Sequence, residues 1–162
     1  MNVQLFQISL YMKQGDLLRA RTSLAHCVSQ DFKMSRGLAR AFADTFSGLH
    51  LLKNKNLKVG QVGTFKDKGR YIYNLITKEG VKDQPTYEDL KETLVKMKEH
   101  MVANDVKEVA LPKIGCGMNQ LSWEKVKGII EEVFEDTDLK ITIYYVQEEE
   151  DKVWNRRTLE DF

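Results

Sequence analysis

Short apolar runs alternate along this chain with apolar stripes spaced three or four residues apart, and few folds accommodate that alternation. Residues 23–29 read as a short buried strand. Over residues 35–46, Leu38, Phe42 and Phe46 stand four apart, on one face of a helix. Residues 53–58 are polar and read as a loop. Residues 59–65 and 70–77 are strand-like, and the four residues between them end in Gly69, a hairpin signal. Apolar groups occur on both faces of the second of these strands, which predicts an interior position in a sheet. Pro85 and Thr86 open the longest helix: Thr86 can cap it, and Glu88 and Asp89 suit its first turn. Tyr87, Leu90, Leu94, Met97 and Met101 then form a core-facing stripe. Residues 106–111 are a second buried strand, and Ser122 caps a helix that turns Trp123, Val126, Ile130 and Val133 or Phe134 inward. Residues 139–146 form the closing strand. Strands alternating with helices predict an α/β domain with a largely parallel sheet, or a mixed one containing the hairpin.

Composition narrows the class. A chain of 162 residues is one domain of ordinary size and buries a full core without disulfide or metal staples. Lys and Arg total 25 against 24 Asp and Glu, a net charge of +1, which argues against a protein living on the phosphate backbone of nucleic acid. Cys27 and Cys116 make no disulfide framework, so the expected compartment is reduced and intracellular, cytoplasmic or nuclear. No run approaches the roughly 20 apolar residues of a membrane helix, and no membrane association is expected. The first twelve residues lack a basic leader, and Val3, Leu5, Ile8, Leu10 and Met12 suit a strand better than a secretory signal. The expected organisation is a monomer with its domain over residues 1–146 and a charged extension over 147–162. That extension opens on Glu148 to Asp151 and is either solvated or a short helix docking through Val153, Trp154 and Leu159.

Four segments can carry chemistry. The most informative is residues 111–123, which pass from a buried strand through Gly115 and Gly117 to a capped helix. Such a path lets backbone amides approach an anion beside a helix N-terminus, although a plain structural turn has the same local look. Neither the Walker loop nor the Rossmann fingerprint is present. Asp16 follows an early strand, where it can accept from an exocyclic amine or bond its own backbone. Residues 23–29 lead into Met34-Ser35-Arg36-Gly37, with a glycine at a helix start. Lys78 ends an apolar strand, as a solvated charge or, if it faces a pocket, a nucleophilic amine. Cys116 lacks the arginine that a phosphatase thiolate needs six residues on, where Ser122 stands instead. The three histidines are scattered, and His26 and Cys27, adjacent on a strand, face opposite sides, so no metal site is expected.

Together these segments resemble the macrodomain family, and more closely its branch of terminal ADP-ribose protein glycohydrolases that also hydrolyse O-acyl-ADP-ribose. The matching pieces are Gly-Asp-Leu at 15–17, Ser-Leu-Ala-His-Cys at 23–27, Arg-Tyr-Ile-Tyr at 70–73, Leu-Ile-Thr-Lys at 75–78, Pro-Thr-Tyr-Glu at 85–88 and Ile-Gly-Cys-Gly at 114–117. Ile-Glu-Glu-Val-Phe-Glu at 130–135 and Lys-Ile-Thr at 140–142 complete them. The resemblance implies a three-layer α/β/α domain whose central sheet is mixed and largely parallel, with ADP-ribose at the carboxyl ends of the strands. Asp16 then binds adenine, helped by the amide of Leu17, and Val146 walls it. Ile114, Gly115, Cys116, Gly117 and Met118 cradle the diphosphate. Ser29, Ser35, Arg36, Gly37 and Leu38 flank the distal ribose and diphosphate from the other side. In this branch the lysine matching Lys78 attacks the anomeric carbon, and an aspartate two residues after the second glycine completes the reaction.

Here that position is Asn119, whose amide has no basic lone pair. Loss of a general base typically costs ~10²- to 10⁴-fold in rate. The expectation is therefore an ADP-ribose-binding domain with weak or absent hydrolysis. The alternative is an active hydrolase that uses Lys78 on carboxylate esters of ADP-ribose. The implied partner is ADP-ribose or an ADP-ribosylated protein, with no cofactor and no direct nucleic-acid contact.

Overall fold

The computed structural model describes residues 8–116 and 121–146. The strands are β1 (Ser9–Gln14), β2 (Ser23–Ser29), β3 (Val62–Asp67), β4 (Arg70–Lys78), β5 (Glu108–Leu111) and β6 (Lys140–Tyr145). The helices are α1 (Gly37–Thr45), α2 (Tyr87–Ala103) and α3 (Trp123–Phe134), with 3₁₀ segments at Leu17–Arg19 and Leu49–Lys55. The sheet runs in the order β1-β6-β5-β2-β4-β3. Every neighbouring pair is parallel except the β3–β4 hairpin, so the sheet is mixed and largely parallel, as expected.

Period-two alternation divides the strands between two layers. On β2, Leu24 and Val28 join Phe42, Phe46, Leu49 and Leu52 beneath α1 and the second 3₁₀ segment. On the other face Ala25, Tyr73 and Leu75 meet Leu90, Leu94, Met97 and Met101 of α2 and Val126, Ile130 and Phe134 of α3. The result is three layers, α/β/α. Strand β4 lies inside the sheet, with residues 72–77 buried.

Local chemistry fixes the ends of these elements. Thr86 Oγ1 accepts from the Asp89 amide at 3.1 Å and starts α2. Ser122 sits at the N-cap of α3, but its hydroxyl makes no capping bond; instead its amide donates to Tyr87 Oη at 2.9 Å, tying the two helices together. The hairpin is tighter than its sequence suggests. Strand β3 runs on to Asp67, leaving a two-residue turn at Lys68 and Gly69 with φ of +45° and +83°. Residues 53–58 are not all loop, because Leu49 and Leu52 anchor a 3₁₀ segment that reaches Lys55. Helix α1 begins at Gly37, and its Leu38 is 37% exposed while Phe42 and Phe46 are buried. Strand β3 begins only at Val62, and β5 only at Glu108. Residues 1–7, and the extension over 147–162, lie outside the described residues.

Candidate functional site

Because five strands run parallel, their carboxyl ends share one edge of the sheet, where crevices form between the loops that leave it. Asp16 follows β1, Ser29 ends β2, Lys78 ends β4, Ile114 to Cys116 follow β5, and Val146 follows β6. Four strand spacings of about 4.8 Å separate β1 from β4, about 19 Å in all. A ligand touching both ends must therefore be elongated.

At the β1 end, the Gly15 amide donates to the Tyr145 carbonyl at 3.0 Å, which sets Asp16 beside the start of the chain after β6. Asp16 is exposed, and its Oδ1 accepts from the Leu18 amide at 3.0 Å. It therefore caps its own turn and still has Oδ2 for another donor. Leu17 as a whole is 4% exposed, and its side chain packs into the core on the α1 side. Val146 is 41% exposed.

After β5 the chain turns at Gly115, with φ of +71°. A Cβ there would lie 3.1 Å from Leu121 Cδ1, so glycine answers both the conformation and the crowding. Ile114 is buried, and the Cys116 thiol donates to its carbonyl at 3.2 Å. Burial raises the Cys116 thiol above its ordinary range, so it stays protonated and fits packing rather than nucleophilic attack. Gly117, Met118 and Asn119 lie outside the described residues.

At the β2–β4 end lies a pocket of about 140 Å³ whose lining includes Cys27, Ser29, Lys33, Met34, Arg36 and Lys78. Its volume is below the ~300–1,000 Å³ of a site for a whole drug-sized ligand, so it has room for no more than one end of an elongated one. Lys78 Nζ donates to the Val81 carbonyl at 2.9 Å across the mouth. Burial pushes the Cys27 thiol up to about 12, with Thr77 and the Gly115 backbone bonding against that rise, so the pocket's sulfur is a neutral wall. The pocket thus gathers Ser29, Arg36 and Lys78 of the expected set. Ser35 lies on the adjoining loop, and Gly37 and Leu38 open α1, all exposed. Gly37 has φ of +57°, and a Cβ there would meet nothing within 4 Å, so conformation rather than crowding calls for glycine.

His26 and Cys27 do face opposite layers. His26 stacks on Phe42 at 3.8 Å on the α1 side, whereas Cys27 packs against the α2–α3 side. A second depression, of about 190 Å³, lies at the opposite edge of the sheet between Met101, Val106 and Leu139. It holds none of the expected residues, and two of its charged groups are tied up in the pairs Lys107–Asp105 and Lys98–Asp136.

Sequence reasoning missed three groups here. Asp31 accepts from Ser29 Oγ at 2.6 Å, Val81 offers its carbonyl to Lys78, and the Gln30 amide donates to the Lys78 carbonyl at 2.8 Å. An Asp two residues after a strand-ending serine was the only visible signal.

The Macro domain family model matches residues 25–130, and this chain belongs to that family. It is similar to the human protein named ADP-ribose glycohydrolase OARD1, with 48% identity over 136 residues, covering 83% of this chain and 89% of that one. Among solved structures it resembles the macrodomain of Thermus aquaticus DarG, with a TM-score of 0.78 and 25% identity, covering 85% of this chain and 99% of that one. The fold also matches Thermosipho africanus DarTG in complex with ADP-ribose, with a TM-score of 0.73 and 20% identity, over 85% of this chain and 42% of that one.

Proposed function

We propose that this chain binds ADP-ribose, free or attached to protein, along the carboxyl edge of its sheet, and hydrolyses it weakly or not at all. The observation that carries this reading is the placement of Asp16, the Gly115 turn and the Ser29–Lys78 pocket along one edge of the sheet. In this reading Asp16 Oδ2 takes the adenine amine. The backbone about Ile114 to Met118 holds the diphosphate, which needs little net positive charge because amides supply the donors. The terminal ribose enters the pocket beside Lys78, with Ser35 to Leu38 along its flank.

Turnover needs more. The Lys78 amine must form a C–N bond at the anomeric carbon as the ester C–O bond breaks and the carboxylate leaves with the electron pair. A base must manage the protons, and Asn119 cannot be that base. A second reading, an active hydrolase of carboxylate esters, is favoured by the retention of Lys78 in the pocket lining.

One paired experiment separates them: calorimetric titration with ADP-ribose and an assay of O-acetyl-ADP-ribose hydrolysis. The expected result is binding with little product, and a gain of ~10²-fold or more in rate for Asn119→Asp that Lys78→Ala abolishes. Wild-type turnover comparable to that of Asn119→Asp establishes the hydrolase instead. Absence of binding sinks both readings.

A further inference from the structure

The turn after β2 carries a carboxylate that the ADP-ribose reading leaves unused. Strands β2 and β4 pair regularly as far as Val28 opposite Ile76, and then slip, so that Ser29 stands opposite Lys78 and Thr77 is passed over. Without that bulge Ser29 would face Thr77, and Lys78 would fall to the other side of the sheet. Bulges of this kind re-aim side chains beside active sites. Here the bulge sets a serine that is 6% exposed next to the lysine, in the lining of one pocket.

The following turn is built around Asp31. Its Oδ1 accepts from Ser29 Oγ at 2.6 Å and from the Lys33 amide at 3.1 Å. The turn is closed by the Phe32 amide donating to the Ser29 carbonyl at 3.0 Å. Phe32 has φ of +53°, a region disfavoured for a side chain with a Cβ, and its ring is buried in the core below. Strain of this kind persists where the surroundings over-determine it, and functional sites are where it collects. Partial burial opposes charge on Asp31, but the Ser29 and Lys33 hydrogen bonds outweigh it and hold the carboxyl below its ordinary range. A serine hydroxyl has one proton and two lone pairs. Having given its proton to Asp31, Ser29 Oγ can only accept. The charged groups around it in the pocket, Lys33, Arg36 and Lys78, are donors only.

We propose that Asp31 is a positioning residue: by holding the Ser29 proton it makes Ser29 Oγ the acceptor for a hydroxyl of the ligand's terminal ribose, beside Lys78. This inference rests on the ADP-ribose reading above and adds to it a residue that senses the terminal ribose through Ser29. A ligand without that ribose, such as ADP, gains nothing from the pair.

The test is calorimetry of the full chain with ADP-ribose and with ADP, in the wild type, Asp31→Ala, Asp31→Asn, Ser29→Ala and the double variant Ser29→Ala/Asp31→Ala. The expected result is a fall of about tenfold in the ADP-ribose-to-ADP affinity ratio in Asp31→Ala and in Ser29→Ala, the size of one hydrogen bond to a charge-backed acceptor. Asp31→Asn, whose side-chain oxygen still accepts the Ser29 proton, is expected to keep most of the ratio. The double variant is expected to lose no more than either single one, since both act through the same acceptor. A ratio unchanged in a folded Asp31→Ala overturns the proposal, as does an additive loss in the double variant. If Asp31→Ala fails to fold, Ser29→Ala decides in its place, because an unchanged ratio there also overturns the proposal. Wild-type protein that binds neither ligand overturns the ADP-ribose reading itself, and this inference falls with it; binding of both with no ratio change in the variants overturns only the inference.

Discussion

The two layers that cover the sheet differ in chemistry more than in size. Beneath α2 and α3 the buried contacts are mostly hydrocarbon: Leu90, Leu94, Met97 and Met101 meet Ile130, Phe134 and Ile141. The polar group buried on α2, Thr93, bonds the Leu90 carbonyl of its own helix at 2.7 Å. Beneath α1 the layer holds a polar pair at its centre. His26 Nε2 meets Asn74 Oδ1 at 2.6 Å, while Asn74 donates to the Gly63 carbonyl at 2.9 Å. Because Asn74 Oδ1 can only accept, the proton sits on His26 Nε2, and Nδ1 is left buried without a partner among the described residues. This layer also holds the left-handed Phe32 and forms one wall of the Lys78 pocket. The difference is one of chemistry: both layers bury apolar side chains, and the layer with α1 carries polar and strained features besides.

The largest effect that tests this contrast is expected on the apolar side. Leu94→Ala should cost about 2–5 kcal/mol in urea denaturation while leaving the ADP-ribose affinity of the folded protein unchanged. A loss of affinity as great as that from changes in the pocket wall would break the contrast.

Next comes acid sensitivity on the α1 side. Burial, only partly offset by the Asn74 bond, lowers the His26 pKa to about 4 from 6.5. The unfolded chain therefore binds more protons than the folded one between those values. The stability from neutral His26 is complete above pH 6.5 and is lost as pH falls towards 4, by about 3 kcal/mol in all. Denaturation curves across that window should show the decline in the wild type, and His26→Gln should flatten it. Asp31 and Asp136, held below the ordinary carboxylate range, add their losses at lower pH.

The smallest effect belongs to the α2 cap. Thr86→Ala removes one accepted hydrogen bond and should lower stability by about 1 kcal/mol, again without changing affinity. A loss above ~3 kcal/mol would mean that Thr86 holds more than its own helix start.

Much of this was legible from local pattern. The α2 stripe, the β2 and β4 runs and the Gly115 turn all show themselves within a dozen residues, because helix and strand periods are local properties. Leu38 misled, because a four-residue spacing says which face a residue occupies but not whether the core extends to it; α1 reaches the pocket mouth at that point. The hairpin turn misled because two strands of ordinary sequence pair closer to the turn than their apolar pattern marks. Asn74 gave no sign of its partner, which lies 48 residues away. Ser122 looked like a cap, yet the group that serves that helix end is Tyr87 Oη, 35 residues away.

By itself, then, the sequence determined the alternation of elements, the capped start of α2, the glycine turn after β5 and the amide at position 119. Those depend on residue type and on spacing along the chain. Only the tertiary structure decided that Lys78 faces a pocket, that Ser29 stands beside it and that Asp31 stands behind Ser29. The reason is a single slip in the pairing of β2 with β4, and strand register is set across the sheet by long-range hydrogen bonds and packing, which no local period encodes.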